Sequence, residues 1–124
     1  MAKISAKYFS EAEFKKCTPS CSLQDMNQAF MRKLDNARFQ AGIPFVLNSA
    51  YRSPAYEIKK GRSGKGDHTQ GRGVDIRCNT SQNRMKILRA LLDNGFNRIG
   101  IGKTYIHAGD GENLPPDVVW HYYD

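Results

Sequence analysis

The sequence predicts an α+β domain in which N-terminal helices pack on a small, mostly antiparallel sheet. Three observations carry this. Helical apolar spacing comes first along the chain, short strand-like runs crowd its second half, and no alternating strand–helix–strand rhythm joins the two.

The elements follow in order. Ser10 and Glu13 have the spacing of a capping box, which starts a short helix through Phe14. A second helix is expected from Ser22 to Gln40, because Leu23, Met26, Phe30, Leu34 and Ala37 recur at helical spacing and Gly42 is placed to end it. The run from Pro44 to Ser49 reads as a buried strand, after which Ser53-Pro54 turns the chain into a short helical piece around Tyr56. Gly61 to Gly66 is a basic, glycine-rich loop, expected to be mobile without a ligand. A strand from Gly73 to Arg77 follows. Ser81 is expected to cap a third helix with Met85, Leu88, Leu91 and Leu92 inward and Gly95 closing it. Arg98 to Ile101 and Thr104 to His107 read as two strands joined at Gly102-Lys103, and Val118 to Tyr123 as a last one.

At 124 residues the chain is expected to be one domain, 1–124, with a core that needs no disulfide or structural metal. Its 40% hydrophobic and 25% charged residues are ordinary for a globular protein. No apolar run reaches the length of a membrane span, and the N-terminus lacks the apolar core of a signal peptide. The expectation is therefore a monomer made in the cytoplasm, which reaches any outside target by another route.

The net charge of +7 is unevenly placed. Between Arg52 and Arg89, ten bases face only Glu57, Asp67 and Asp75, whereas the stretch from Gly109 onward carries Asp110, Glu112, Asp117 and Asp124 and no lysine or arginine. Such a basic face suits a polyanion or an anionic cell wall, or simply keeps the chain soluble. A nucleic-acid-binding role would rest on charge alone, since no reading helix or aromatic platform is evident, and no specific nucleic-acid partner is expected. Cys17, Cys21 and Cys78 are an odd set that excludes a full disulfide framework, and they read as reduced, partly buried thiols.

The stretch from Gly66 to Asp75, Gly-Asp-His-Thr-Gln-Gly-Arg-Gly-Val-Asp, carries the chemistry. Imidazole and carboxylate are two of the ligand types that suit a catalytic zinc ion, which takes three protein ligands and leaves one position open. Gly71 and Gly73 let the backbone turn between His68 and Asp75, so that a loop residue and a strand residue converge on one ion. The only other histidines are His107 and His121, and either can be the third ligand. His107 lies in the apolar run Tyr105-Ile106-His107, where an unpartnered imidazole is costly to bury. Arg52 follows a strand, at a loop position of the kind that commonly serves function.

Three segments resemble one family, the zinc D-alanyl-D-alanine carboxypeptidase-like metallopeptidases, related to phage endolysins that cut L-alanyl-D-glutamate bonds and to the hedgehog N-terminal domain fold. Ser49-Ala50-Tyr51-Arg52-Ser53-Pro54 is similar to the family's Ser-Gly-Tyr-Arg-Ser-Pro segment. His68 to Asp75 is similar to its Ser-x-His-x-x-Gly-x-Ala-x-Asp motif, and Ile99 to His107 resembles the strand pair that brings the third ligand in a phage-type subgroup. Val119-Trp120 resembles that subgroup's closing tryptophan.

The resemblance implies one zinc ion on the sheet, held by His68, Asp75 and His107. It implies that Arg52 holds or polarises a substrate carbonyl or carboxylate, with Ser49 and His121 on the substrate side. It also implies metal-assisted hydrolysis, in which zinc acidifies a water, a carboxylate takes the proton and an amide is attacked. Peptidoglycan stem peptides are the implied substrates, cut by a carboxypeptidase or an endopeptidase that acts on the bacterial wall after phage-type release or as a virion component.

Four departures from the family concern the metal motif and the general base. Gly66 stands where serine is usual and Gly73 where alanine is, while Thr104 and Gly109 stand where relatives place the acidic general base. Asp110 is the nearest replacement for that base, with Glu112 and Asp117 as alternatives. If none serves, the chain is a zinc-binding module that binds cell wall or another partner without turnover.

Overall fold

The computed structural model describes residues 3–123. Four helices, α1 (Glu11–Lys15), α2 (Gln28–Ala41), α3 (Pro54–Lys59) and α4 (Ser81–Asp93), accompany five strands: β1 (Leu47–Ser49), β2 (Gly73–Arg77), β3 (Arg98–Ile101), β4 (Tyr105–Gly109) and β5 (Val118–His121). The strands form one sheet in the order β1-β2-β4-β3-β5, antiparallel except for the β3–β5 pair. This is the expected α+β architecture.

Strand alternation divides the sheet into two chemically different faces. Val74 and Ile76 of β2, Ile99 of β3, and Ile106 and Ala108 of β4 are buried together with Phe30, Met31 and Leu34 of α2 and Ile87, Ala90 and Leu91 of α4. The opposite parity carries Asp75, His107, Gly100 and Trp120. Ser49 pairs with Asp75, Asp75 with His107, His107 with Gly100, and Gly100 with Trp120, so these residues form one row across all five strands.

Several element boundaries differ from expectation. The second helix starts at Gln28, not Ser22. Residues Leu23–Asp25 form a separate 3-10 turn, Met26 is extended, and Asn27 caps α2 by accepting the Phe30 N–H at 3.0 Å. The Asn27 N–H donates to the Gly71 carbonyl at 2.9 Å, a long-range bond that competes with helix continuation at that point. At α4 the cap is Thr80, whose Oγ1 accepts the Asn83 N–H at 3.1 Å, and Ser81 is the first helical residue. Its inward stripe is Ile87, Ala90 and Leu91, whereas Met85 and Leu92 are more than half exposed. β1 is shorter than the Pro44 to Ser49 run, and a bulge shifts its register between Leu47 and Ser49. Cys17, Cys21 and Cys78 are free thiols.

Candidate metal centre

β2 and β4 bring Asp75 and His107 side by side because the two are paired in register. His68 arrives from a 3-10 turn, Asp67–Gln70, immediately before β2. That turn closes on Gly71, whose φ of 68° is left-handed, a region that other residues enter only with strain. The His68 ring is fixed by an Nδ1 contact of 2.6 Å to the Ala50 carbonyl, and the His68 carbonyl accepts the Arg52 N–H at 3.2 Å. A ring that donates from Nδ1 keeps Nε2 as its lone-pair nitrogen. His68 Nε2 lies 3.4 Å from Asp75 Oδ1, and His107 Nδ1 lies 3.0 Å from the same oxygen.

One ligand atom from each of His68, Asp75 and His107 falls within 4.8 Å of the others, and all three residues are buried. Two imidazole nitrogens and a carboxylate oxygen form a donor set that suits zinc. The neighbouring side chains orient that set. Burial alone raises the Asp75 carboxyl, but the His107 and His68 rings beside it outweigh that and hold the group far below the usual carboxylate range. Burial likewise opposes charge on His107, yet Asp67 and Asp75 on either side of the ring make it more basic than usual.

Arg52 closes the site from the β1 side. Its Nε donates to Ser49 Oγ at 2.8 Å and its Nη2 to Asp75 Oδ2 at 3.1 Å, while Nη1 lies 3.5 Å from Glu57 Oε1. Glu57 is itself buried and pairs with Arg62 of the basic loop at 2.6 Å. On the β5 side, the Trp120 ring lies 5.4 Å from that of His107. Gly100 makes room for this approach, because a Cβ there would meet Trp120 Nε1 at 2.8 Å.

The structure brings together His68, Asp75, His107, Arg52 and Ser49, the last buried under Arg52. It does not bring Asp110 or His121 to the cluster. Asp110 follows β4 on the parity of Ile106 and Ala108, turns toward α2 and meets Lys33 Nζ at 2.6 Å, with Arg72 Nη1 at 3.2 Å on its other oxygen. His121 pairs with Ile101, one step off the row that carries Trp120, and stacks on Tyr123 at an exposed edge. Glu112 is largely exposed, 3.5 Å from Arg72. Asp117 lies in the connection before β5, at a positive φ of 56°.

Sequence reasoning missed Asp67, Glu57 and Arg98. One signal was present: Glu57, Asp67 and Asp75 are the only acids in the basic stretch from Arg52 to Arg89, and all three are buried around this site.

Among curated proteins none matches this chain. The profile of one family does, over residues 7–108, a span that takes in the three clustered residues and ends one position past His107. With that match over most of its length, and with a metal-competent His-Asp-His cluster in it, the chain belongs to the zinc-dependent Peptidase M15 family.

Proposed function

We propose that this protein is a zinc peptidase that hydrolyses peptide bonds in peptidoglycan stem peptides, as a D-alanyl-D-alanine carboxypeptidase-like enzyme or an endolysin-type endopeptidase. The observation that carries the reading is the convergence of His68, Asp75 and His107 ligand atoms on one buried point of the sheet. One zinc ion there would be held by His68 Nε2, Asp75 and His107 Nδ1. When bound, it supplies Lewis-acid polarisation and an acidified water. Arg52, already anchored by Ser49 and Asp75, offers a planar guanidinium to a substrate carbonyl or terminal carboxylate. The basic stretch around it suits the free carboxylates of stem peptides. The protein would act as a monomer on the bacterial wall, reached by phage-type release or as a virion component.

A second reading, a zinc-binding module without turnover, is favoured by one observation. Every carboxylate at or near the cluster is engaged: Asp75 with Arg52, Asp67 with Arg98 and His107, and Asp110 with Lys33.

Metal analysis of the purified protein beside His68→Ala, followed by incubation with purified sacculi, tests both. We expect one zinc per chain, its loss in the variant, and release of D-alanine or muropeptide fragments by the zinc-loaded protein only. Zinc binding without any release would select the second reading, and absence of zinc from the wild type would sink both.

A further inference from the structure

Asp67 precedes the first clustered histidine and is at least as inaccessible as any member of the cluster, with 4% of its surface exposed. Its Oδ2 faces His107 Nε2 at 2.8 Å, the ring nitrogen that points away from Asp75. Its Oδ1 accepts the Gly111 N–H at 2.8 Å, and Arg98 Nε donates to both oxygens, at 3.0 and 3.1 Å. Arg98 is itself held by the Pro115 carbonyl at 2.7 Å and lies 5.3 Å from the centre of the Trp120 ring.

The backbone around Asp67 is cleared of side chains on three sides. A Cβ at Gly73 would meet Asp67 Cβ at 2.7 Å, one at Gly109 would meet its Cγ and Oδ2 at 2.5 Å, and one at Gly111 its Oδ1 at 2.5 Å. Three positions from two strands and a loop thus leave one cavity, filled by one carboxylate. Gly109 is on the same face of β4 as His107, two residues along, so a side chain there would point at the space where the Asp67 carboxylate sits.

We propose that Asp67 is the positioning residue for His107: it holds the Nε2 proton and thereby presents Nδ1 to the metal, from a space that a side chain at position 109 would also reach. The inference rests on the metal reading above. It follows from the chemistry of imidazole, in which a hydrogen bond at one nitrogen fixes the tautomer and leaves the lone pair at the other. The same contacts argue against Asp67 as proton acceptor. His107, Arg98 and the Gly111 amide fill its acceptor sites, and none of them is a substrate group.

Two measurements on the full-length chain test this, both independent of turnover. In the zinc-loaded wild type, nitrogen NMR of the histidine side chains should show His107 bound through Nδ1 and protonated at Nε2. Binding through Nε2 would overturn the proposal without any variant being made. Zinc affinity, read by competition with a chromophoric chelator, should fall about 10- to 100-fold in Asp67→Gly. It should recover at least tenfold in the double variant Asp67→Gly/Gly109→Asp, which moves the carboxylate to the other wall of the same cavity. Asp67→Asn keeps the size of the side chain and checks that the loss is not one of folding: it should remain folded and bind zinc more weakly than the wild type. Unchanged affinity in folded Asp67→Gly, or no recovery in the double variant, would overturn the assignment while leaving the metal site standing. A wild type that binds no zinc would remove the metal site and this inference together.

Discussion

Asp110 is a buried carboxylate with two cations on it, Lys33 at 2.6 Å and Arg72 at 3.2 Å. The Arg72 contact falls outside hydrogen-bond geometry, so Oδ1 relies on charge attraction alone. To accept a proton from a water at the cluster, this group would have to leave Lys33 and turn to the other face of the sheet. We therefore expect Asp110→Asn to keep its zinc and its hydrolytic rate while losing about 1–3 kcal/mol of stability, the usual cost of a charged partner left unpaired. A fall in hydrolysis of about a hundredfold or more with zinc retained is the signature of a lost acid–base group, and would return Asp110 to the reaction. The residue shows where sequence reasoning stops. Its distance along the chain from His107 is short, but the period-two alternation of a strand gives consecutive side chains opposite faces.

At the scale of elements, the strands were the most legible. Gly73 to Arg77 and Arg98 to Ile101 were expected with the boundaries observed, because each alternates or runs apolar between turn residues. Helix starts were less legible. Leu23 and Met26 keep helical spacing with Phe30, yet a hydrogen bond from Asn27 to Gly71, forty-odd positions away, decides where α2 begins. That same carbonyl belongs to the residue whose left-handed φ ends the His68 turn. The start of α2 and the placement of His68 thus share one glycine. A methyl group at Gly71 would meet the Asp25 carbonyl oxygen at 2.5 Å and the Asn27 nitrogen at 3.0 Å, both backbone atoms that cannot rotate away. Gly71→Ala should therefore cost about 2 kcal/mol or more by denaturant unfolding, from the strained φ and this overlap together. It should also weaken zinc binding, and an alanine variant with wild-type unfolding midpoint and zinc affinity would refute the linkage.

At the scale of the molecule, the metal site and the core lie back to back on one sheet. The residues that would hold the metal come from β2, β4 and the turn before β2, elements that also carry Val74, Ile76 and Ile106 into the core. Zinc that binds only the folded chain must stabilise it by mass action, by about 4 kcal/mol at a thousandfold excess over Kd. Chelation should then lower the melting temperature by on the order of 10 °C or more, with recovery on adding zinc back. A melting curve indifferent to chelator would show that the ion is not bound at this cluster. The three clustered residues and Arg52 were legible in the sequence because their motifs are compact. Asp67 and Arg98 were not, because each matters through a partner far along the chain, Asp67 through His107, forty positions on, and Arg98 through Asp67. Glu57 was not, because its partners Arg52 and Arg62, five positions to either side, make it look like an ordinary local ion pair.

The row that crosses the sheet takes one residue from each strand: Ser49, Asp75, His107, Gly100 and Trp120. Each strand contributes its member only when paired in one register, and a slip of a single residue sends that member to the helix side and a core aliphatic to the site. A chain with a slipped strand could still be compact and rich in sheet, but it would have no three ligands in reach of one another. Zinc capture at this cluster would therefore be a proofreading signal for strand pairing, since tight binding would report that β2 and β4 have found their intended register.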